Sequence, residues 1–366
     1  MKIGVYRVAM NGPDDLRGLE HLIKSGTIVT EEIIAVIAKT EGNGNVNDFT
    51  RGFTTLAIQN LFSELLKLRP NQIAERVSIV CSGGCEGVMS PHATIFTKSR
   101  EVGQQDGLKR LAVGVRNTRY LLPNEIGTQV QSEVVADAVH EAMVDARIED
   151  ASDVHYVQVK CPLLTSDRIR KTREHGEQVV TNDSLKSMAF SRGASALGVA
   201  MALNEVDRAK ITDSAICNDW SLYSNVASTS AGLELNNNEI VVMGNSSNSG
   251  SDFMIGHSVM QDAIDIDAVK SALKNVGIDA DPYVSRKDAS RLINVFAKAG
   301  AHPSGEVRGR RTTMLTDSDI GSTRHARAVV NAVIAAITGD SMVYVSGGSE
   351  HQGPLGGGPI AAIARL

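Results

Sequence analysis

Three lysines, three serines and three arginines recur along the chain in one fixed order. The serines head Ser-small-Gly-x-Glu blocks: Ser82-Gly83-Gly84-Cys85-Glu86, Ser230-Ala231-Gly232-Leu233-Glu234 and Ser346-Gly347-Gly348-Ser349-Glu350. Lys39, Lys160 and Lys298 each close an apolar run, IIAVIAK, VHYVQVK and LINVFAK. Between lysine and serine stands Arg51, Arg192 or Arg324, directly after a serine or threonine and ahead of an apolar, helix-spaced pattern. A serine hydroxyl becomes a useful nucleophile when a neighbouring base takes its proton, and lysine is such a base only when neutral. Burial and nearby cations both depress a lysine pKa, and three arginines supply the second effect. The small residue after each serine lets backbone amides approach a substrate oxygen as oxyanion donors.

Each part alone is weak. Ser-Gly-Gly is most often a turn, a strand-end lysine is most often solvated, and a helix-start arginine usually pairs with an acid. Duplicated units retained for packing would keep apolar positions more readily than Lys, Arg and Ser. Threefold repetition in one order therefore points to a site. If the three sets converge, their natural ligand is a small flat ring with three similar carbonyl-and-NH edges. Each edge would meet one arginine and one serine–amide pair.

The elements that must position these groups follow from pattern. VSIVCS and MVYVSGG read as buried strands delivering Ser82 and Ser346, while SNVAST before Ser230 is a weaker strand signal. The lysine-terminated runs read as strands too. The serine or threonine before each arginine is the expected N-cap of the following helix, and an arginine there adds its donors to the free amides of a helix N-terminus. SDRIRKTREHGEQ in the middle unit reads as an exposed insertion. Strand-like LAVGV restarts the pattern after residues 105–110, and helix-like VMQDAIDIDAVKSAL follows residues 250–260. The expected units are therefore 1–105, 110–252 and 256–366.

Composition excludes other classes. The chain has 366 residues, 42% hydrophobic and 22% charged, with net charge -5 and only 4% aromatic residues. That balance gives no case for nucleic acid or an anionic membrane. The N-terminal MKIGVYRVAM lacks an apolar h-region, the longest apolar stretch is too short to span a bilayer, and a cytoplasmic protein is expected. Cys81, Cys85, Cys161 and Cys217 are irregularly spaced, which supports neither a disulfide framework nor a zinc site. Without GxxxxGK[ST] or a strand-flanked GxGxxG, the glycine turns are not nucleotide cradles, and no organic cofactor is expected.

The three blocks, with GNSSNSGSDFMIGHSVMQDAID (residues 244–265), resemble the cyanuric acid hydrolase and barbiturase family over essentially the whole chain. The resemblance implies an α/β fold of three similar repeat units around a pseudo-threefold axis, a toblerone-like fold with a central site. It implies hydrolytic opening of cyanuric acid to carboxybiuret, then biuret and carbon dioxide. By the same resemblance Ser230 is the nucleophile and Lys160 its base. Arg51, Arg192 and Arg324, with Lys39, Lys298, Ser82, Gly83, Ala231, Ser346 and Gly347, would bind and polarise the ring. It also implies a homotetramer and a structural divalent cation near the third unit. Glu306 and the turn EHQGPLGGG, with Glu350, Gly353, Pro354, Leu355 and Gly358, match that cation site, whose oxygen donors suit magnesium or calcium; a plain glycine-rich turn is the competing reading. Two alternatives stand beside this one: a barbiturase, and a non-catalytic protein that clamps a small symmetric anion. Ala231, where the other blocks have glycine, marks the second serine as different.

Overall fold

A computed structural model describes residues 1–101 and 107–366 of the chain. The expected end of the first unit at residue 105 lies outside the described residues. The first unit runs β1 (Lys2–Ala9), α1 (Arg17–Lys24), β2 (Ile33–Thr40), α2 (Phe49–Leu66), α3 (Pro70–Arg76), β3 (Ser78–Gly83) and β4 (His92–Ser99). The second runs β5 (Arg110–Asn117), α4 (Gln129–Ala146), β6 (Val154–Pro162), α5 (Ser166–Glu174), α6 (Ser184–Ala202), β7 (Ala227–Gly232) and β8 (Glu239–Ser246). The third holds β9 (Phe253–Met260), α7 (Ile266–Lys274), α8 (Arg286–Ala289), β10 (Leu292–Ala299), the short pair β11 (Glu306–Val307) and β12 (Arg310–Arg311), α9 (Ser322–Thr338), β13 (Tyr344–Gly347) and β14 (Gly358–Arg365).

Each unit builds the same four-stranded sheet: β1-β4-β2-β3, β5-β8-β6-β7 and β9-β14-β10-β13. In each, the lysine strand lies inside, parallel to the serine strand and antiparallel to the strand that returns after it. Parallel neighbours need a long crossover, and the arginine-bearing helices α2, α6 and α9 lie in these crossovers. The chain is thus a threefold internal repeat.

Strand alternation aims the chemistry inward. Side chains two residues apart share a face. Ile37, Phe296, Val80 and Tyr344, each two residues before a site lysine or serine, belong to one central core drawn from all three sheets. Lys39, Lys298, Ser82 and Ser346 therefore continue that central face. In β6 the same parity runs from Tyr156, also in the central core, through buried Gln158 to Lys160. The opposite parity, such as Val36 and Ala38 or Val157 and Val159, packs outward under each unit's own helices.

Three expectations about boundaries change. Two of the arginine helices are capped upstream of the expected Thr50 and Ser191: Asp48 caps α2 by accepting from Thr50 N at 3.0 Å, and Asp183 caps α6 by accepting from Leu185 N at 2.9 Å. Gly321 precedes α9. A carboxylate satisfies the free amides of a first turn well, so α2 and α6 begin at the acid and Arg192 lies midway along α6. The stretch VMQDAIDIDAVKSAL is divided, because Val259 and Met260 end β9 and α7 starts only after Asp265, whose carboxylate accepts from Ala268 N at 3.0 Å. The third sheet begins at Phe253, inside the gap expected between units. The charged insertion contains the helix α5.

Candidate active site

The strand register puts Lys39 opposite Ser82, Lys160 opposite Ser230 and Lys298 opposite Ser346. All three lysines are at most 1% exposed. Lys39 Nζ donates to Ser82 Oγ at 3.2 Å and to Gly83 O at 3.3 Å. Lys298 Nζ donates to Ser346 Oγ at 3.1 Å and to Thr229 O of the second unit. Lys160 behaves differently. Its Nζ donates to Cys81 O of the first unit at 2.6 Å and pairs with Glu234 Oε1 at 3.2 Å. Ser230 Oγ is buried and, among the described residues, has no hydrogen-bond partner.

The acids that end the serine blocks tie the units into a ring. Arg192 of the second unit grips Glu350 of the third through two bonds of 2.7 Å. Arg327 of the third grips Glu86 of the first, with Nε to Oε2 at 2.6 Å and Nη2 to Oε1. Arg51 of the first closes the ring toward Glu234 of the second, but only at 3.9 Å; its Nη1 donates instead to Ala231 O at 3.3 Å and its Nη2 to Asn45 O at 2.8 Å. Burial pushes the Glu86 and Glu350 carboxyls up, yet Arg327 and Arg192 outweigh it and hold both below the ordinary glutamate value. Burial likewise raises Glu234, and Lys160 with Arg51 brings it down.

Arg327 joins the expected Arg324 at Glu86. Arg327 is 3% exposed and lines the central cavity, whereas the Arg324 side chain is 39% exposed and touches Glu86 only at 3.3 Å. The two arginines are three apart on α9 and so share a face, with Arg327 the one turned into the interior. The cavity is lined by Arg51, Arg192, Arg327, Ser82, Ser230 and Ser346, with Lys160, Gly83, Ala231 and Gly347. It is tight, about 20 Å³, the space of roughly one water, so admitting a ring requires the surrounding side chains to move outward. Close packing explains two of the glycines. A Cβ at Gly83 would lie 1.8 Å from a carboxylate oxygen of Asp48, and one at Gly347 would lie 2.7 Å from Arg327 Nη1. Burial, helped by Arg327, pushes the Lys39 ammonium down to about 7. Burial, helped by Arg192, holds Lys298 well below the ordinary lysine value.

Residues 4–365 match the family described as amidohydrolase ring-opening protein. The chain belongs to this family. It is 57% identical, over 100% of both chains, to the cyanuric acid amidohydrolase of Enterobacter cloacae. It is 48% identical to the cyclic amide hydrolase of Azorhizobium caulinodans, again over 100% of both. A solved cyanuric acid hydrolase, described as an evolutionary innovation by structural concatenation, superposes with a TM-score of 0.96 at 48% identity, covering 100% of this chain and 99% of that one. The ring-opening amidohydrolase is thus a cyclic amide hydrolase built by repetition. Among the described residues no helix is long and apolar enough to cross a membrane.

The residues expected to hold a cation lie between β10 and the start of β14 in the third unit. Both Glu350 oxygens face Arg192, and Glu306 stands exposed on the β11–β12 pair. In the turn from Glu350 to Gly358, Glu350 O accepts from Gln352 Nε2 and Pro354 O from Gly357 N. Gly353 and Gly358 have positive φ, and a Cβ on Gly353 would lie 2.7 Å from Gly358 Cα, so the turn folds back on itself. Leu355 lines an outer pocket beside Trp220. Among the described residues no three His, Cys, Asp or Glu side chains converge as a metal site.

Sequence reasoning missed Arg327, the pairing role of Glu86 and Glu234, and the buried Glu239 beside Lys160. The repeated final glutamate of the three blocks was a usable signal for the ring of acids. Only its partners, which come from other units, were out of reach.

Proposed function

We propose that this amidohydrolase hydrolyses cyanuric acid, opening the ring to carboxybiuret, which loses carbon dioxide to give biuret. The observation that carries this reading is the cavity itself: three serines and three arginines line it, each serine opposite a lysine in the strand register, matching a ring with three identical imide edges. The names of the full-length relatives point the same way.

In this reading Lys160 first gives its proton to a neighbouring carboxylate, and Ser230 Oγ then attacks a ring carbonyl as its own proton passes to Lys160. The ring C–N bond breaks, and the Lys160 ammonium returns the proton to the leaving nitrogen, so the opened chain stays on Ser230 as an ester. Water then attacks that ester, again with Lys160 as base, and the serine hydroxyl is restored. The amides that follow the three serines polarise the carbonyls, and the arginines hold the edges not being opened. Ser230 is the fitting nucleophile because its hydroxyl is uncommitted, and Lys160 is the lysine flanked by carboxyl groups that can take its proton.

One observation favours a second assignment. Lys39 already donates to Ser82, and its pKa near 7 is what a general-base lysine requires. Alanine variants of the serines separate the two. The substrate is tested by kcat/KM on cyanuric and barbituric acids. Barbituric acid carries CH2 in place of one NH and leaves one buried polar group unpaired, a cost of about 1–3 kcal/mol, or roughly 5- to 150-fold. A ratio favouring barbituric acid would overturn the substrate while leaving the ring-opening chemistry standing.

A further inference from the structure

Lys160 separates the central cavity from a second, larger pocket. This outer pocket has a volume of about 510 Å³ and is lined by Lys160, Glu234 and Glu239 together with polar Gln59, Asn117 and Asn236. Its rim includes Tyr120, which is 76% exposed, so it is open to solvent. Glu239 opens β8 directly opposite Lys160 of β6, so the two side chains share a sheet face. Glu239 is 7% exposed, its Oε2 has no hydrogen-bond partner among the described residues, and its carboxyl is otherwise held by the backbone of Ile79.

The other units lack this acid. His92 stands opposite Lys39, and its ring is taken up by Ser90 O and the Asn294 amide. In the third unit β14 begins Gly358-Pro359 beside Lys298, with no ionisable group there. A buried carboxyl with one unpartnered oxygen, facing both a lysine and a solvent-open pocket, is therefore particular to the second unit among the described residues.

We infer that Glu239 is the proton exchanger that connects Lys160 to the solvent of the outer pocket. This rests on Lys160 serving as the base. Hydrolysis of an imide C–N bond with water yields an N–H and a carboxyl group, and that carboxyl ionises at neutral pH. The proton that Lys160 takes from the attacking water returns to Ser230, and the new carboxyl then ionises onto neutral Lys160 before the product leaves, so one proton per ring opened stands there as the ammonium. Glu239 in its acid form gives its proton to pocket water while the Lys160 ammonium passes its own to the vacated oxygen, which restores neutral Lys160 and the Glu239 acid. The ionisable groups facing Glu239 are Lys160 on β6, Glu234 after β7, Cys81 on β3 and Glu75 of α3 at the pocket edge. Burial raises the Glu239 carboxyl to about 8 against the opposing pull of Lys160, so both of its forms are accessible near neutrality.

The test is Glu239→Gln, which keeps size and hydrogen-bonding capacity but carries no exchangeable acid proton. In dilute, weakly exchanging buffer we expect kcat to fall about tenfold, below the roughly 10²–10⁴-fold of a direct acid–base group, with KM little changed. Added formate or imidazole should restore kcat in proportion to its concentration, while the wild-type rate stays flat. Glu239→Asp, assayed in parallel to cover a Gln variant that fails to fold, should keep an intermediate rate that also rises with added buffer. A normal kcat in Glu239→Gln, or a loss in either variant that small acids and bases do not relieve, overturns the relay. Ser230→Ala and Lys160→Arg run beside them. If either turns over near the wild-type rate, the Ser230–Lys160 reading itself fails; if both are dead and Glu239→Gln is normal, only the relay fails.

Discussion

Arg327→Gln and Arg324→Gln should have very different consequences, although the two residues sit three apart on α9. Arg327 is buried and meets both oxygens of Glu86, while Arg324 is half-exposed with one 3.3 Å contact to the same acid. Removing one partner of a buried pair costs about 3–5 kcal/mol. The lower end applies here, because Glu86 keeps Arg324. With an unfolding entropy of about 0.8 kcal/mol/K for a chain of this length, Tm should drop by roughly 4 °C. The lost charged donor in the cavity should lower kcat/KM by a further 1.5–3 kcal/mol, about 10- to 150-fold. Arg324→Gln removes an exposed pair worth about 0.2–1 kcal/mol and should cost fivefold at most. Calorimetry and steady-state kinetics on both variants, with Glu86→Gln to complete a double-mutant cycle, measure each quantity. An Arg324 variant that loses as much activity as the Arg327 variant would refute the assignment of Arg327 to the ring of arginines.

Ser230→Ala should abolish turnover, on the scale of the roughly million-fold loss seen when a serine nucleophile is removed, while Ser82→Ala and Ser346→Ala leave measurable rates. Equal residual rates in all three, or the deepest loss at Ser82, would move the nucleophile. Lys160→Arg should inactivate although charge is retained, since arginine is not deprotonated at working pH; a near-normal rate would mean that Lys160 acts through charge alone. Lys39→Met should relieve a buried-charge penalty that depends on pH. Lys39 titrates near 7 in the folded chain and at 10.5 unfolded, so between those values the unfolded state binds the extra proton and wild-type stability rises with pH. The stability advantage of Lys39→Met should therefore be largest below about pH 7, up to roughly 5 kcal/mol before its lost hydrogen bonds are counted, and should vanish toward pH 10.5. Denaturant melts from pH 6 to 10 that show a constant difference would refute it.

What the sequence displayed was what each unit carries within itself. A β-branched run ending in lysine or serine announces both a strand and, through its period of two, the face on which that residue stands. Phe296 and Tyr344 in the central core fix Lys298 and Ser346 beside them for this reason. The helix starts were misread because a serine before an arginine looks like a cap, while Asp48 and Asp183 lie further upstream and compete better for free amides. The choice between Arg324 and Arg327 was not local at all. The run STRHAR offers two arginines on one helical face; both reach Glu86, a residue of the first unit, and the buried Arg327 is the one that meets both of its oxygens.

The same non-locality decides which of the three similar sites can differ from the others. Arg192 and Arg327 occupy Glu350 and Glu86 completely, which leaves Lys298 and Lys39 to turn to their own serines. Arg51 spends its donors on Ala231 O and Asn45 O and stays 3.9 Å from Glu234. Glu234 is thereby free to draw Lys160 toward itself and away from Ser230, whose hydroxyl is left without a partner among the described residues. A threefold frame with one imperfectly closed Arg–Glu link thus yields two settled Lys–Ser pairs and one open pair. The open pair is also the one backed by Glu239, so the break in symmetry and the route for protons fall in the same unit.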